Sequence, residues 1–249
     1  MRMPTPPAAP RAGAGAFRLT PAQEAAVARV GCAVTDRDAP TTGGPTTGSP
    51  TTGNSVVLLC GPAGVGKTTV LHAVRAGLVA TCSSDIRAAA EWSDILGTRG
   101  LVLPDVVIAD DAHESSCGDI LRLLTAIQSR RPRGRLVLAG EGRLLSVVAR
   151  DGRIGQAVGM RAILRPFTPA ETRAVVARVL ERGAPSETER HEDPLAETAR
   201  SIHEIAAGMP GAVVRIAGQA AIVADTRPDR RLTAADIELV HRRLSLSAA

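Results

Sequence analysis

A parallel α/β sheet flanked by helices, followed by a small all-helical lobe, is the fold class that this sequence predicts. Three observations carry the prediction. Apolar segments of strand length alternate with helical segments from Ser55 to about residue 168. A glycine-rich turn, GPAGVGKTT at 61–69, stands between the first of these strands and a helix. Strand-like segments then stop, and four helical segments fill the remainder.

Taken in order, residues 1–18 are rich in Pro, Ala, Gly and Arg and read as a disordered tail. A first helix is expected over 19–34, with Thr20 as N-cap, Pro21 at the first helical position and Gln23 completing a near capping pattern. The Thr-Thr-Gly repeats of 35–54 read as a flexible loop. Strands are expected at Ser55–Cys60, Asp105–Asp110, Arg135–Gly140 and Ala162–Phe167, with a further short one at Val79–Ser83. Helices are expected at Gly66–Ala80, Asp85–Leu96 and Ser116–Ser129, the last with Ile120, Leu123, Leu124 and Ile127 on one face. The core is therefore assigned to 19–168 and a helical lid to 169–249, with helices near 169–183, 194–207, 210–225 and 233–245.

The core must be built from Ala, Val, Leu and Ile, because Phe17, Trp92 and Phe167 are the only aromatics. Arginine outnumbers lysine 29 to 1, a bias that weakens any argument from arginine count. The net charge of +5 is concentrated in 55–169, where fourteen basic residues face ten acids. A polyanion such as a nucleotide suits that excess, and nucleic acid is permitted by it. Cys32, Cys60, Cys82 and Cys117 lack CxxC or zinc-finger spacing, which argues against a metal site or disulfide framework and for reduced thiols in the cytoplasm. No apolar run reaches the ~18–20 residues of a membrane span, and the N-terminus lacks a signal-peptide core.

The turn at 61–69 matches G-x-x-x-x-G-K-[ST] in its strand-to-helix context and identifies a P-loop NTPase sheet. A triphosphate presents dense negative charge, and a run of backbone N–H groups answers it. The residues expected to cradle it are Gly61, Pro62, Ala63, Gly64, Val65, Gly66, Lys67, Thr68 and Thr69. The following helix adds the positive end of its dipole. Lys67 should reach the β- and γ-phosphates, and the Thr68 hydroxyl should ligate magnesium. Lys67 is the only lysine in the chain, at the position where a compact point charge is required. In VVIADDAH, 106–113, an apolar strand runs into acids. Asp110 is expected to hold magnesium, and Asp111 to orient the attacking water as general base. The cofactors implied are ATP and Mg.

With both motifs in hand, the chain resembles AAA+ ATPases of the ExeA (general secretion pathway A) and Orc-initiator type over about 19–246. The resemblance rests on GPAGVGKTT, on ADDAH where the family has a D-E-A-H or D-E-A-Q box, and on RLVLAGEGRLL, LRPFTPAET and GMPGAVVRIAGQA in that order. It implies an AAA+-type lid, ATP hydrolysis, and assembly through self-association or with a protein partner, possible DNA included. It also exposes departures. The catalytic glutamate is Asp111, the polar sensor falls on Glu141, the lid arginine on Gly211, and the arginine-finger position on Ala157, with Arg153, Arg161 and Arg215 nearby. Slow hydrolysis is the expectation, since each lost electrostatic stabiliser costs ~2.7–4 kcal/mol of transition-state energy.

Other features have a bland reading beside a functional one. SRRPRGR at 129–135 is a solvated loop or a polyanion patch, and RHED at 190–193 reads as a surface loop. His113 either couples the γ-phosphate to the next strand or caps a helix, and Gln23 either reaches adenine or is a plain exposed first-turn residue. Two alternatives to the motor or switch remain. LTPAQEAAV before the P-loop also resembles RecD-type superfamily 1 helicases, which need a second sheet lobe. A nucleotide-dependent regulator that does not hydrolyse ATP fits Asp111, Glu141 and Gly211.

Overall fold

The computed structural model describes residues 19–35, 55–81, 86–88, 105–131, 133–180, 194–227 and 231–246. The expected tail, the Thr/Gly/Pro loop, Cys82, Trp92 and the RHED segment lie outside them.

Five parallel strands form one sheet: β1 (Val56–Cys60), β2 (Ile86–Ala88), β3 (Val106–Ala109), β4 (Arg135–Gly140) and β5 (Val158–Ile163). Their order is β2-β3-β4-β1-β5. β1 is thus flanked by β4 and β5, which lie far downstream in sequence, and a crevice opens where the winding reverses. The helices are α1 (Pro21–Thr35), α2 (Lys67–Thr81), α3 (Cys117–Arg130), α4 (Gly142–Ala149), α5 (Gly152–Ala157), α6 (Pro169–Leu180), α7 (Pro194–Ala206), α8 (Pro210–Asp225) and α9 (Ala234–Leu246).

Strand side chains alternate between faces, and here both faces are covered, so β1 is buried at every position. Val56, Leu58 and Cys60 join Leu136 and Leu138 under α3, α4 and α5. Val57 and Leu59 join Val137 and Ala139 under α1 and α2. Each fully buried aliphatic side chain contributes ~1.5–3 kcal/mol relative to exposure, which lets a core almost free of aromatics suffice. α3 buries the four expected residues, Ile120, Leu123, Leu124 and Ile127, and Ser116 caps it through the Asp119 N–H at 3.1 Å.

α6 to α9 pack round a separate core that includes Phe167, Ile202, Ile216 and Ile237. No strand follows Ile163 among the described residues. Two reciprocal caps fix helix starts in this lobe. Thr168 and Glu171 bond each other's backbone N–H at the start of α6, and Thr233 and Asp236 do so at α9.

Three expectations need correction. Residues 79–81 are the end of α2, not a strand. Residues 86–88, expected to be helical, form β2, because Ile86–Ala88 pair with Val106–Ile108 on the rim of the sheet. The last strand lies at 158–163 instead of 162–167. Pairing with β1 sets its register, and Pro166 lacks the N–H that a ladder needs.

Candidate nucleotide site

The loop 61–66 leaves the C-terminal end of β1 and turns into α2. Its start is pinned to the neighbouring strand, where the Gly61 N–H donates to the Gly140 carbonyl at 3.2 Å. Gly64 and Gly66 have φ of +72° and +95°, a region that residues with a Cβ avoid. At Gly66 a Cβ would also lie 2.6 Å from the Gln23 amide nitrogen.

Lys67, only 7% exposed, folds back over this loop. Its ammonium donates to the carbonyls of Gly61 and Pro62, both at 3.0 Å. Thr68, on the first turn of α2, donates its hydroxyl to the Asp110 carboxylate at 2.5 Å. Residues 42 positions apart are thus joined at the sheet rim. The second Asp110 oxygen accepts the Asp111 N–H at 3.0 Å.

Asp111 itself has a φ of +49° and a side chain 66% exposed. Asp and Asn tolerate this conformation better than longer side chains do. The turn that follows docks on β4, with the Ala112 N–H donating to the Ala139 carbonyl at 2.8 Å. His113 is carried inward, its Nδ1 3.9 Å from Asp111 Oδ1. That nitrogen is buried and without a hydrogen-bond partner. The helix-cap reading of His113 is corrected, because Ser116 caps α3.

Gln23 is 3% exposed, so it is not the exposed first-turn residue that was one of its two readings. Its side-chain oxygen accepts the Thr20 N–H at 3.1 Å, and its nitrogen abuts Gly66. A cavity of about 430 Å³ opens there. Thr20, Gln23, Val65, Leu164 and Phe167 line its buried part.

The helical lobe touches the same loop from the other side. Pro210 starts α8, and the Gly211 N–H donates to the Gly64 carbonyl at 2.9 Å. A Cβ on Gly211 would stand 3.2 Å from that carbonyl oxygen, so the helix start lies almost on the loop. This contact was not legible in the sequence, which shows Gly211 only where an arginine was expected.

The other departures fall as follows. Glu141, half-buried, follows Gly140 as the N-cap position of α4 and makes no capping bond with its side chain. Ala157 is buried in the core. Arg153 is held by Asp151 in a two-pronged pair at 2.8 and 3.1 Å, which keeps the Asp151 carboxyl down at about 2. Arg161 and Arg215 are exposed, on β5 and α8. Cys60, directly before the loop, has its thiol pushed up by burial, against the pull of Arg161 and Lys67.

No family model matches the chain, and no curated protein matches its sequence. Solved structures do match it. The Orc2 protein of Aeropyrum pernix, solved as ADPNP–ADP complexes, aligns with a TM-score of 0.59 at 16% identity, over 89% of this chain and 67% of that one. Domain III of the replication initiation protein DnaA from Thermotoga maritima aligns with a TM-score of 0.54 at 14% identity, over 91% and 94%. The fold is that of the AAA+ ATPases. The RuvB Holliday junction branch migration motor of Thermotoga maritima matches at 0.48 and 18% identity over 76% of this chain, which spans only 62% of that protein. At these identities the likeness is one of fold. Within the AAA+ fold, the loop at 61–66 and the acids at 110–111 meet at the strand ends where α/β sheets bind their ligands.

Proposed function

We propose that this chain binds Mg-ATP and hydrolyses it slowly, coupling the nucleotide to assembly with a protein partner. The observation that carries the reading is the meeting of Thr68 and Asp110 beside a loop shaped by Gly64 and Gly66. The loop has a backbone path that a Cβ would obstruct at Gly66, and a buried ammonium that holds carbonyls until a better anion arrives. A hydroxyl and a carboxylate, both hard oxygen donors, suit magnesium.

In this reading Gly61 to Thr69 wrap the phosphates, Lys67 contributes the point charge, and Thr68 with Asp110 hold the metal. Bound magnesium would supply charge neutralisation to the phosphate oxygens. Asp111 orients water, and its exposed carboxylate is open to solvent for that purpose. The base occupies the cavity over Val65, Leu164 and Phe167, with the Gln23 amide at its wall. Residues 169–249 act as a lid, in touch with the loop through Gly211.

DNA enters as a partner class to test, since the DnaA domain belongs to a replication initiation protein and the likeness is one of fold. The superfamily 1 helicase reading finds less support, because β5 leads into a helical lobe that returns to the loop through Gly211. The non-hydrolysing regulator stays as the second reading, favoured by the glycine at 211, where the loop contact leaves little room for a cationic side chain.

The test is titration of the full chain with a fluorescent ATP analogue, with and without magnesium, alongside phosphate release with and without duplex DNA and with oligomer size followed. Magnesium-dependent binding with slow turnover is expected. Absence of ATP binding would overturn the proposal, and binding without any turnover would select the regulator.

A further inference from the structure

The outer edge of the sheet beside α1 has a chemistry that nucleotide binding does not use. β5 pairs with β1 on one side, and no described strand covers the other. The Leu164 N–H donates to the Cys60 carbonyl at 2.8 Å. Because backbone groups alternate along a strand, the N–H and C=O of Arg161 and Ile163 then point outward, away from β1. Ile163 is apolar yet 59% exposed at this edge. α1 runs alongside and contributes Ala22, Ala25 and Arg29, one stripe at three- and four-residue spacing, whose two methyl groups leave a gap that longer side chains would close.

The gap is the outer end of the cavity of about 430 Å³, whose inner end reaches Gln23 and Val65. Three arginines line it, Arg29, Arg161 and Arg165, and no acidic residue does among the described residues. None of the three is in an ion pair with another described residue. An open strand edge normally carries charge that repels pairing with itself, and a lining of one sign selects for the opposite sign in anything that docks.

We propose that the groove between α1 and the open edge of β5 is a docking site for an acidic, extended segment of a partner protein, which joins the sheet as an added strand. The segment's backbone answers the outward N–H and C=O groups of Arg161 and Ile163. Its carboxylates take the guanidinium groups, which bind such groups bidentately. Its alternate apolar side chains rest on Ile163, on the sheet face opposite Ala162 and Leu164, and its carboxylates lie on the face beside α1. A nucleic acid would satisfy the arginines, but its phosphodiester backbone lacks the regularly spaced N–H groups that an added strand presents to the two outward carbonyls. The groove adjoins the proposed base site, Ala22 being next to Gln23, and its far end at Arg29 lies nearly two helical turns, ~9 Å, beyond Gln23.

The test is fluorescence anisotropy on the full chain with a labelled ten-residue peptide alternating Glu and Val. A Lys–Val peptide of equal length and a labelled single-stranded oligonucleotide serve as comparisons. The wild type should bind the Glu–Val peptide and reject the Lys–Val one. Reversing two charges, Arg29→Glu with Arg165→Glu, should weaken the acidic peptide more than about tenfold. Ile163→Pro removes an outward N–H at an edge that tolerates proline, and should weaken it about fivefold beyond Ile163→Ala. If Ile163→Pro fails to fold, as judged by circular dichroism, the charge reversal decides. No peptide binding up to about 1 mM, or binding that the charge reversal leaves unchanged, would overturn the proposal. So would an oligonucleotide that displaces the peptide and binds Ile163→Pro as well as wild type, which would make the edge a nucleic-acid contact.

Discussion

The loop at 61–66 is approached from two sides by different chemistry. The sheet rim brings side chains: the Lys67 ammonium on the loop carbonyls, and the Thr68 hydroxyl joined to the Asp110 carboxylate at 2.5 Å. The helical lobe brings backbone, a single N–H from Gly211 on the Gly64 carbonyl. Charged groups determine how tightly an anion is held and how its transition state is stabilised. A backbone contact transmits position and adds no charge. On the proposed function, the rim supplies the charges that hold a nucleotide, and the lobe adds none toward the transition state of hydrolysis.

The largest expected effect lies on the rim. Lys67→Ala should weaken ATP binding more than about 100-fold, the loss of a charge-assisted contact in a buried site. Stability should fall only modestly, because the carbonyls of Gly61 and Pro62 lose their partner at the mouth of a solvated loop. Calorimetric titration of the variant checks the first statement and its melting curve the second. Affinity that survives the substitution would place the ligand elsewhere.

Next comes Asp111. Asp111→Asn keeps the left-handed backbone and removes the charge, so single-turnover hydrolysis should drop by about 10²-fold, the lower end for a positioned base, while ATP stays bound. Asp111→Glu adds reach but must adopt a φ of +49°, at a cost of ~1–3 kcal/mol. Its turnover should therefore rise less than the added length alone implies. Hydrolysis by the wild type that Asp111→Asn leaves untouched would move the base to Glu141.

How far these features were legible differs by region. The loop, β4 and α8 could be read at once, because each is written locally: a glycine pattern, an apolar run, a proline at the first helical position. α6 and α9 announce themselves by reciprocal caps, Thr168 with Glu171 and Thr233 with Asp236. β2 and β5 could not be read, because pairing creates them. β2 is three residues long and exists through β3, and β5 shows three exposed positions, Gly159, Arg161 and Ile163, instead of an apolar run. At the site, Asp111 could be read from the acids that end β3, but its left-handed backbone could not. Gln23 gave a capping signal, whereas its burial against Gly66 depends on how α1 lies over the sheet.

The lobe side should respond weakly. Gly211→Ala puts a methyl 3.2 Å from the Gly64 oxygen, so the helix start must retreat by a few tenths of an ångström and its hydrogen bond lengthens. Losing most of one such bond is worth about 1 kcal/mol, so the dissociation rate of a fluorescent ATP analogue should change by about fivefold at most. A change as large as that of Lys67→Ala would mean that the lobe holds the nucleotide directly, as the rim does.

The smallest effect at neutral pH, and the one that isolates the lobe, is acid sensitivity. The Asp236 carboxylate accepts two hydrogen bonds from the Arg227 guanidinium, and others from the Thr233 N–H and hydroxyl. Arg227 foremost, then Thr233, hold its pKa well below the usual carboxylate range. A carboxyl with a folded pKa below its unfolded value stabilises the fold above the unfolded value, ~4, and loses that contribution as pH falls through the folded one. The wild-type lobe should thus lose stability below about pH 4, while Asp236→Asn, already without the charge, should be less stable at pH 7 and lose less further on acidification. Thermal melts at pH 7 and pH 3 measure the difference directly. The core has its own such pair, Asp151 with Arg153, which this substitution leaves intact, while at the nucleotide loop Asp110 is bonded to a hydroxyl and a backbone N–H. The variant should therefore leave ATP affinity at pH 7 unchanged. A melt difference that is the same at both pH values would show that the Arg227–Asp236 pair is a contact of shape alone and that acid acts on the molecule elsewhere.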